Sequence, residues 1–191
     1  LSLSIKFTPV AAIPLYGRSA DNIRDHRHVT SLLHRISTQE YGIEVSPVLS
    51  FDERGHQKNS TTYFVYGSKE DGTKPETFYP TNEMFIGEGG SFLNPEAVRT
   101  VKEGVKAGAK IQGKEAVGAL AFESVELKAG EKTGYIVVAG ITDDVLEIEK
   151  TTVLYRTKEA VLECFENTKR HWVEKVNIDF EMNDDLVDNY L

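Results

Sequence analysis

At 191 residues the chain has the length of one large domain, or of one domain with an appendage, and 40% hydrophobic residues are enough for a proper core. A formal charge of −8 argues against partners that demand clustered cations, namely nucleic-acid backbones and anionic membrane surfaces. The single cysteine, Cys164, excludes an internal disulfide and fits a reducing, cytoplasmic setting, and no run approaches the roughly 20 apolar residues of a membrane span. No signal peptide is visible, and a start at Leu1 rather than Met predicts a piece of a longer or processed protein.

Residues 1–15 alternate, with Leu3, Ile5 and Phe7 on one face and Ser2, Ser4 and Lys6 on the other, as a half-buried strand does. Pro9 and Pro14 give it an edge character. Gly17 breaks the pattern. Ser19 then suits an N-cap and Asp21 a first turn, and Val29, Leu32, Leu33 and Ile36 follow the spacing of one helical face, which predicts a helix over residues 20–36. This polar block running into an apolar stripe, with three of the five histidines, is the most distinctive stretch of the chain.

Residues 41–51 return to alternation, and Asp52 to His56 is turn chemistry. Residues 61–66 are rich in β-branched and aromatic side chains. Asp71-Gly72 centres a loop, residues 77–86 read as extended around Pro80, and Gly87 to Ser91 is irregular. Asn94 as cap and Pro95 at the first helical position predict a short helix. Residues 116–127 are apolar on both faces, which predicts a central strand covered on both sides or one that changes sheets. A turn at Ala129 to Lys132 predicts a hairpin with residues 133–141.

Near Thr157 the period changes. Val161, Cys164, Phe165, Thr168 and Trp172 share one helical face, with Glu159, Glu163, Glu166 and Arg170 opposite. A short extended piece at Val176, Ile178 and Phe180 precedes a further helix capped by Asn183 and Asp184, whose Leu186, Val187, Tyr190 and Leu191 begin an apolar face that needs a partner. The expected organisation is therefore a β-sandwich over residues 1–155 and a helical segment over residues 156–191.

The candidate chemistry is sparse. His26, His28, His34 and His56 raise a metal site, but i and i+2 do not share a face of the predicted helix, and no carboxylate follows at cupin spacing, so no metal is expected. Gly87 to Ser91 lacks the lysine and the strand–loop–helix setting of a phosphate loop and reads as a turn. Asp52 and Glu53 are adjacent and point apart, Ser19, Ser31 and Ser91 lack a nucleophile elbow, and Cys164 sits on an apolar face. Arg18, Asp21, Asn22, Arg24, His26 and Arg27 remain. Read blandly, they are a solvated, salt-bridged surface. Read functionally, their fixed, multidentate hydrogen bonds suit a hydroxyl-rich ligand or a neighbouring subunit.

The stretch from Tyr16 to Leu33 (YGRSADNIRDHRHVTSLL), with Phe51 to His56 (FDERGH) and Phe85 to Glu96 (FIGEGGSFLNPE), resembles the β-sandwich region of the inverting disaccharide and oligosaccharide phosphorylases. That family contains the cellobiose and chitobiose phosphorylases and was formerly called glycosyltransferase family 36. The first block is most similar to the 1,2-β-oligoglucan phosphorylase branch, and the resemblance covers nearly the whole chain. It implies a mainly β, galactose-mutarotase-like super-sandwich followed by a helical linker and a separate (α/α)6 barrel that holds the active site. In that family a carboxylic acid protonates the glycosidic oxygen while inorganic phosphate attacks the anomeric carbon with inversion, so phosphate is co-substrate and no other cofactor is implied. The family's catalytic Asp has no counterpart here. The resemblance thus implies a non-catalytic, carbohydrate-associated domain in which the Arg18–Arg27 residues line a substrate entrance or a homodimer interface. The alternative is a stand-alone carbohydrate-binding or scaffolding sandwich.

Overall fold

The computed structural model describes residues 4–15, 31–52, 55–100 and 102–176, which form twelve strands and four helices. The chain divides into two compact units, Leu1–Lys158 and Glu159–Leu191.

The first unit is mainly β and all its strand pairings are antiparallel. A five-stranded sheet has the order β12 (Tyr135–Thr142), β7 (Thr62–Lys69), β4 (Gly42–Pro47), β3 (His34–Thr38), β9 (Lys110–Gln112). A three-stranded sheet has the order β2 (Val10–Leu15), β10 (Ala116–Ala121), β8 (Thr77–Thr81). Two ribbons complete the strands: β1 (Ser4–Phe7) with β11 (Val125–Lys128), and β5 (Leu49–Asp52) with β6 (Gly55–Lys58). The last pair is joined at the turn expected around Asp52 to His56.

The two larger sheets share one core. Ile36, Ile43, Val45 and Val65 from the five-stranded sheet pack with Leu15, Phe78, Ala116, Leu120 and Phe122 from the other side. The sheets approach closely where β10 crosses β7. A Cβ built on Gly118 would lie 2.4 Å from the Val65 side chain, so only glycine fits there.

The outer face of the small sheet is covered as well. Val117, Ala119 and Ala121 pack with Phe85 of α1 (Asn82–Phe85) and Ala97 of α2 (Glu96–Arg99). Every residue of β10 is consequently buried, which is the physical meaning of its two apolar faces. The outer face of the large sheet carries α3 (Val145–Leu154), whose Ile148 packs on Phe64 and Tyr66. The layers therefore run helices, sheet, sheet, helix.

Several expectations change. The helix over residues 20–36 does not extend to Ile36: residues 34–38 form β3, with His34, Ile36 and Thr38 buried on alternate positions and Ile36 paired with Val45 and Ile111. Tertiary pairing overrides the helical spacing of Leu32, Leu33 and Ile36. Residues 16–30, including Ser19 and Asp21, lie outside the described residues, as do 177–191 with the second extended piece and the helix expected from Asn183.

The strand over 116–127 breaks after Ala121, and its hairpin with 133–141 does not form: β10 pairs with β2 and β8, β11 with β1, and β12 with β7. The expected strand over 77–86 ends at Thr81, whose hydroxyl accepts from the Met84 N–H and caps α1. The helix expected at Asn94 starts one residue later, with Pro95 at the cap. The half-buried strand at the start is exposed at Ile5 and Phe7. Between the strand expected to end at Ile141 and the change of period near Thr157, where no helix was expected, α3 is an addition. Asp144 caps it by accepting from the Leu146 N–H.

The helix expected beyond Thr157 is present as α4 (Lys158–Lys175). None of its side chains is buried, and Leu162, Phe165, Trp172 and Val173 are among its exposed residues. Among the described residues no helix is long and apolar enough to cross a membrane.

Candidate functional site

The six residues singled out in the sequence, Arg18, Asp21, Asn22, Arg24, His26 and Arg27, lie outside the described residues. The frame that holds their segment is described at both ends. On the near side, Leu15 ends β2 and stands opposite Ala116. On the far side, Leu32 lies against Gly113, and the Gly113 N–H donates to the His34 carbonyl at 3.1 Å. Both attachment points thus fall on one short stretch, Gly113 to Ala116, at one end of the sandwich.

That end carries a buried polar cluster. His34 is 2% exposed. Its Nδ1 lies 3.1 Å from the Lys114 carbonyl oxygen, which only accepts, so Nδ1 carries the proton and Nε2 presents a bare lone pair. Burial holds the imidazole below its ordinary pKa, against the opposing pull of the Lys114 carbonyl and the Glu115 carboxylate. Nε2 is buried without a hydrogen-bond partner. Beside it, Asn82 donates to Glu115 Oε2 at 2.5 Å, while its own Oδ1 is buried and unpartnered. The Asn82 N–H donates to the Glu115 carbonyl at 3.0 Å, and Lys114 Nζ reaches Glu83 Oε2 at 2.6 Å at the rim. Two acceptors, His34 Nε2 and Asn82 Oδ1, are therefore buried here without a hydrogen-bond partner. Burying such atoms without donors costs about 1–3 kcal/mol each, so the arrangement is matched to donors such as hydroxyls or guanidinium groups.

Of the four histidines considered as ligands, His34 lies in this cluster, and His26 and His28 lie outside the described residues. Among the described residues no group of three or more His, Cys, Asp or Glu side chains is placed to hold a metal. Cys164 is partly exposed on α4. Glycines 87 and 89 adopt positive φ within the loop between α1 and α2, as a tight turn requires. Sequence reading missed Asn82 and Glu115 because neither stands in a motif. Their link across β8 and β10 is a matter of strand register.

No protein-family model matches the chain, and no curated protein matches it.

Proposed function

We propose that this chain is a non-catalytic, carbohydrate-associated domain of an inverting glycoside phosphorylase, with a galactose-mutarotase-like super-sandwich and a helical linker that leads to an (α/α)6 barrel of the same polypeptide. The supporting observation is that the described flanks of this stretch, Leu15 opposite Ala116 and Leu32 against Gly113, meet the same short stretch of chain that carries the buried polar cluster of His34 and Asn82. Flanks fixed on a packed sandwich suit a polar stretch that serves a substrate entrance or a dimer contact. Arg18, Asp21, Asn22, Arg24, His26 and Arg27 are its working residues, and a β-linked gluco-oligosaccharide and inorganic phosphate are the substrates of the whole enzyme. The barrel carboxylic acid protonates the leaving oxygen as phosphate attacks. This domain contributes no reacting group and works in the cytoplasm.

The exposed Leu162, Phe165, Trp172 and Val173 of α4 favour this reading over a stand-alone sandwich, because a linker helix beside a barrel has a use for an apolar face. In the full-length enzyme, Arg24→Ala with Arg27→Ala raises the oligosaccharide KM by about fivefold or more, or weakens the dimer, as expected for loss of charge-assisted hydrogen bonds. An unchanged KM together with unchanged dimerisation would remove the assignment.

A further inference from the structure

A second cleft lies far from the His34 end, where β3 turns into β4. The four residue steps of β3 from His34 to Thr38 separate the two ends by about 13 Å at the usual strand rise. The cleft encloses about 380 Å³ between the outer face of the large sheet and α3. That is the size of a small-molecule site rather than a packing defect.

Its floor is pre-organised. Glu44 stands on β4 with both carboxylate oxygens engaged: Tyr66 Oη donates to Oε1 at 2.6 Å, and Gln39 Nε2 and Ser37 Oγ donate to Oε2 at 3.0 and 3.4 Å. Burial, then the neighbouring Glu44, pushes the Tyr66 hydroxyl well above its ordinary pKa, so it remains a donor at any physiological pH. One wall is Arg156, whose guanidinium lies 4.1 Å over the Tyr41 ring and whose Nε is buried without a partner. The opposite wall is Glu149 on α3, one helical turn from the exposed Val145 and Leu146 at the lip. Glu40 closes the rim, held by Lys74 at 2.8 Å.

The charges nearly balance. Glu40 is paired with Lys74, Glu149 faces a cleft that Arg156 also lines, and Glu44 is satisfied by three neutral donors. An anion would meet three carboxylates, and a free cation would find the best-buried of them already engaged. What the cleft offers is a planar donor, the unpartnered Nε–H of Arg156, and a planar acceptor, the Glu149 carboxylate, over a floor of fixed polar groups and beside an apolar lip. That is the complement of a ring with hydroxyls at its edge and C–H groups on its face. We propose that the cleft between α3 and the β3–β4 turn binds a neutral saccharide of one or two sugar units. The site is independent of the phosphorylase reading and stands if that reading fails.

The test is a two-dimensional NMR titration of the whole chain with cellobiose, beside glucose, glucosamine at a pH where its amine is charged, and glucose 1-phosphate. The expected result is saturable shifts confined to residues 39–44, 66 and 145–156 with cellobiose. Glu149→Ala, an exposed position, weakens this binding about tenfold, the loss expected for a hydrogen bond to a charged group, and leaves the rest of the spectrum unchanged. Absence of saturable shifts with cellobiose, shifts centred elsewhere, or unaltered affinity in Glu149→Ala would overturn the proposal. So would glucosamine binding tenfold more tightly than glucose, which defines a cation site, or glucose 1-phosphate binding more tightly than cellobiose.

Discussion

Gly118 shows how much one missing methyl group can decide. It sits in the middle of a strand, where glycine is ordinarily a cost, and its place is set by Val65 across the sheet interface. Gly118→Ala puts a Cβ 2.4 Å from that side chain. The overpacking lowers stability by about 1–3 kcal/mol, read as a fall in the urea midpoint at unchanged slope. His34 makes a different kind of prediction. Its folded pKa is below the unfolded value of 6.5, so the unfolded chain takes up the proton first. The contribution is complete above pH 6.5 and is lost as the pH falls below it toward the folded pKa. Unfolding midpoints across this window should fall more steeply with acid in the natural protein than in His34→Asn, which keeps a donor for the Lys114 carbonyl. Parallel curves would show that His34 is not held neutral by burial.

Element by element, what could be read from the sequence divides along a physical line. Period-2 stretches that also pair locally were legible: β4, β7 and the β5–β6 turn region. So were the both-faces-apolar pattern of β10 and the helical period of α4, where Phe165 and Trp172 recur on one stripe. Pairing at long range was not legible. β10 sits beside β2 and β8 from distant parts of the chain, while the nearby β12 belongs to the other sheet. The helical reading of Leu32 to Ile36 failed because three apolar residues satisfy either period until Val45 and Ile111 select the strand. The cap of α3 was present in the sequence as Asp144 with Glu147 in the first turn, but no element was expected between Ile141 and Thr157. That omission hid the α3 cleft, since Glu149 has no role until the helix is drawn. Ile148 is 1% exposed and anchors α3 on Phe64 and Tyr66. Ile148→Ala costs about 2–5 kcal/mol by cavity formation, measured by chemical denaturation. It also abolishes cellobiose shifts in the cleft if α3 forms its wall. On α4, Phe165→Asp with Trp172→Asp leaves the melting of the sandwich unchanged and reduces self-association in sedimentation velocity, because the substituted side chains are exposed rather than core.

At the scale of the molecule, the account describes a four-layer sandwich whose work is to present surfaces. One end of β3 carries the buried polar cluster of His34, Asn82 and Glu115, and the opposite end carries the saccharide cleft. The polar block was visible from its composition, but the buried acceptors of His34 and Asn82 were not, because burial of a histidine is a property of register and packing. The central claim is that chemistry on the glycosidic bond belongs to another part of the polypeptide. It is tested most directly by assaying sugar-phosphate formation from β-linked gluco-oligosaccharides and inorganic phosphate, with the full-length protein and with this 191-residue chain side by side. The account predicts phosphorolysis by the full-length protein and none by the chain. Sugar phosphate released by the chain alone, or an inactive full-length protein, would contradict it.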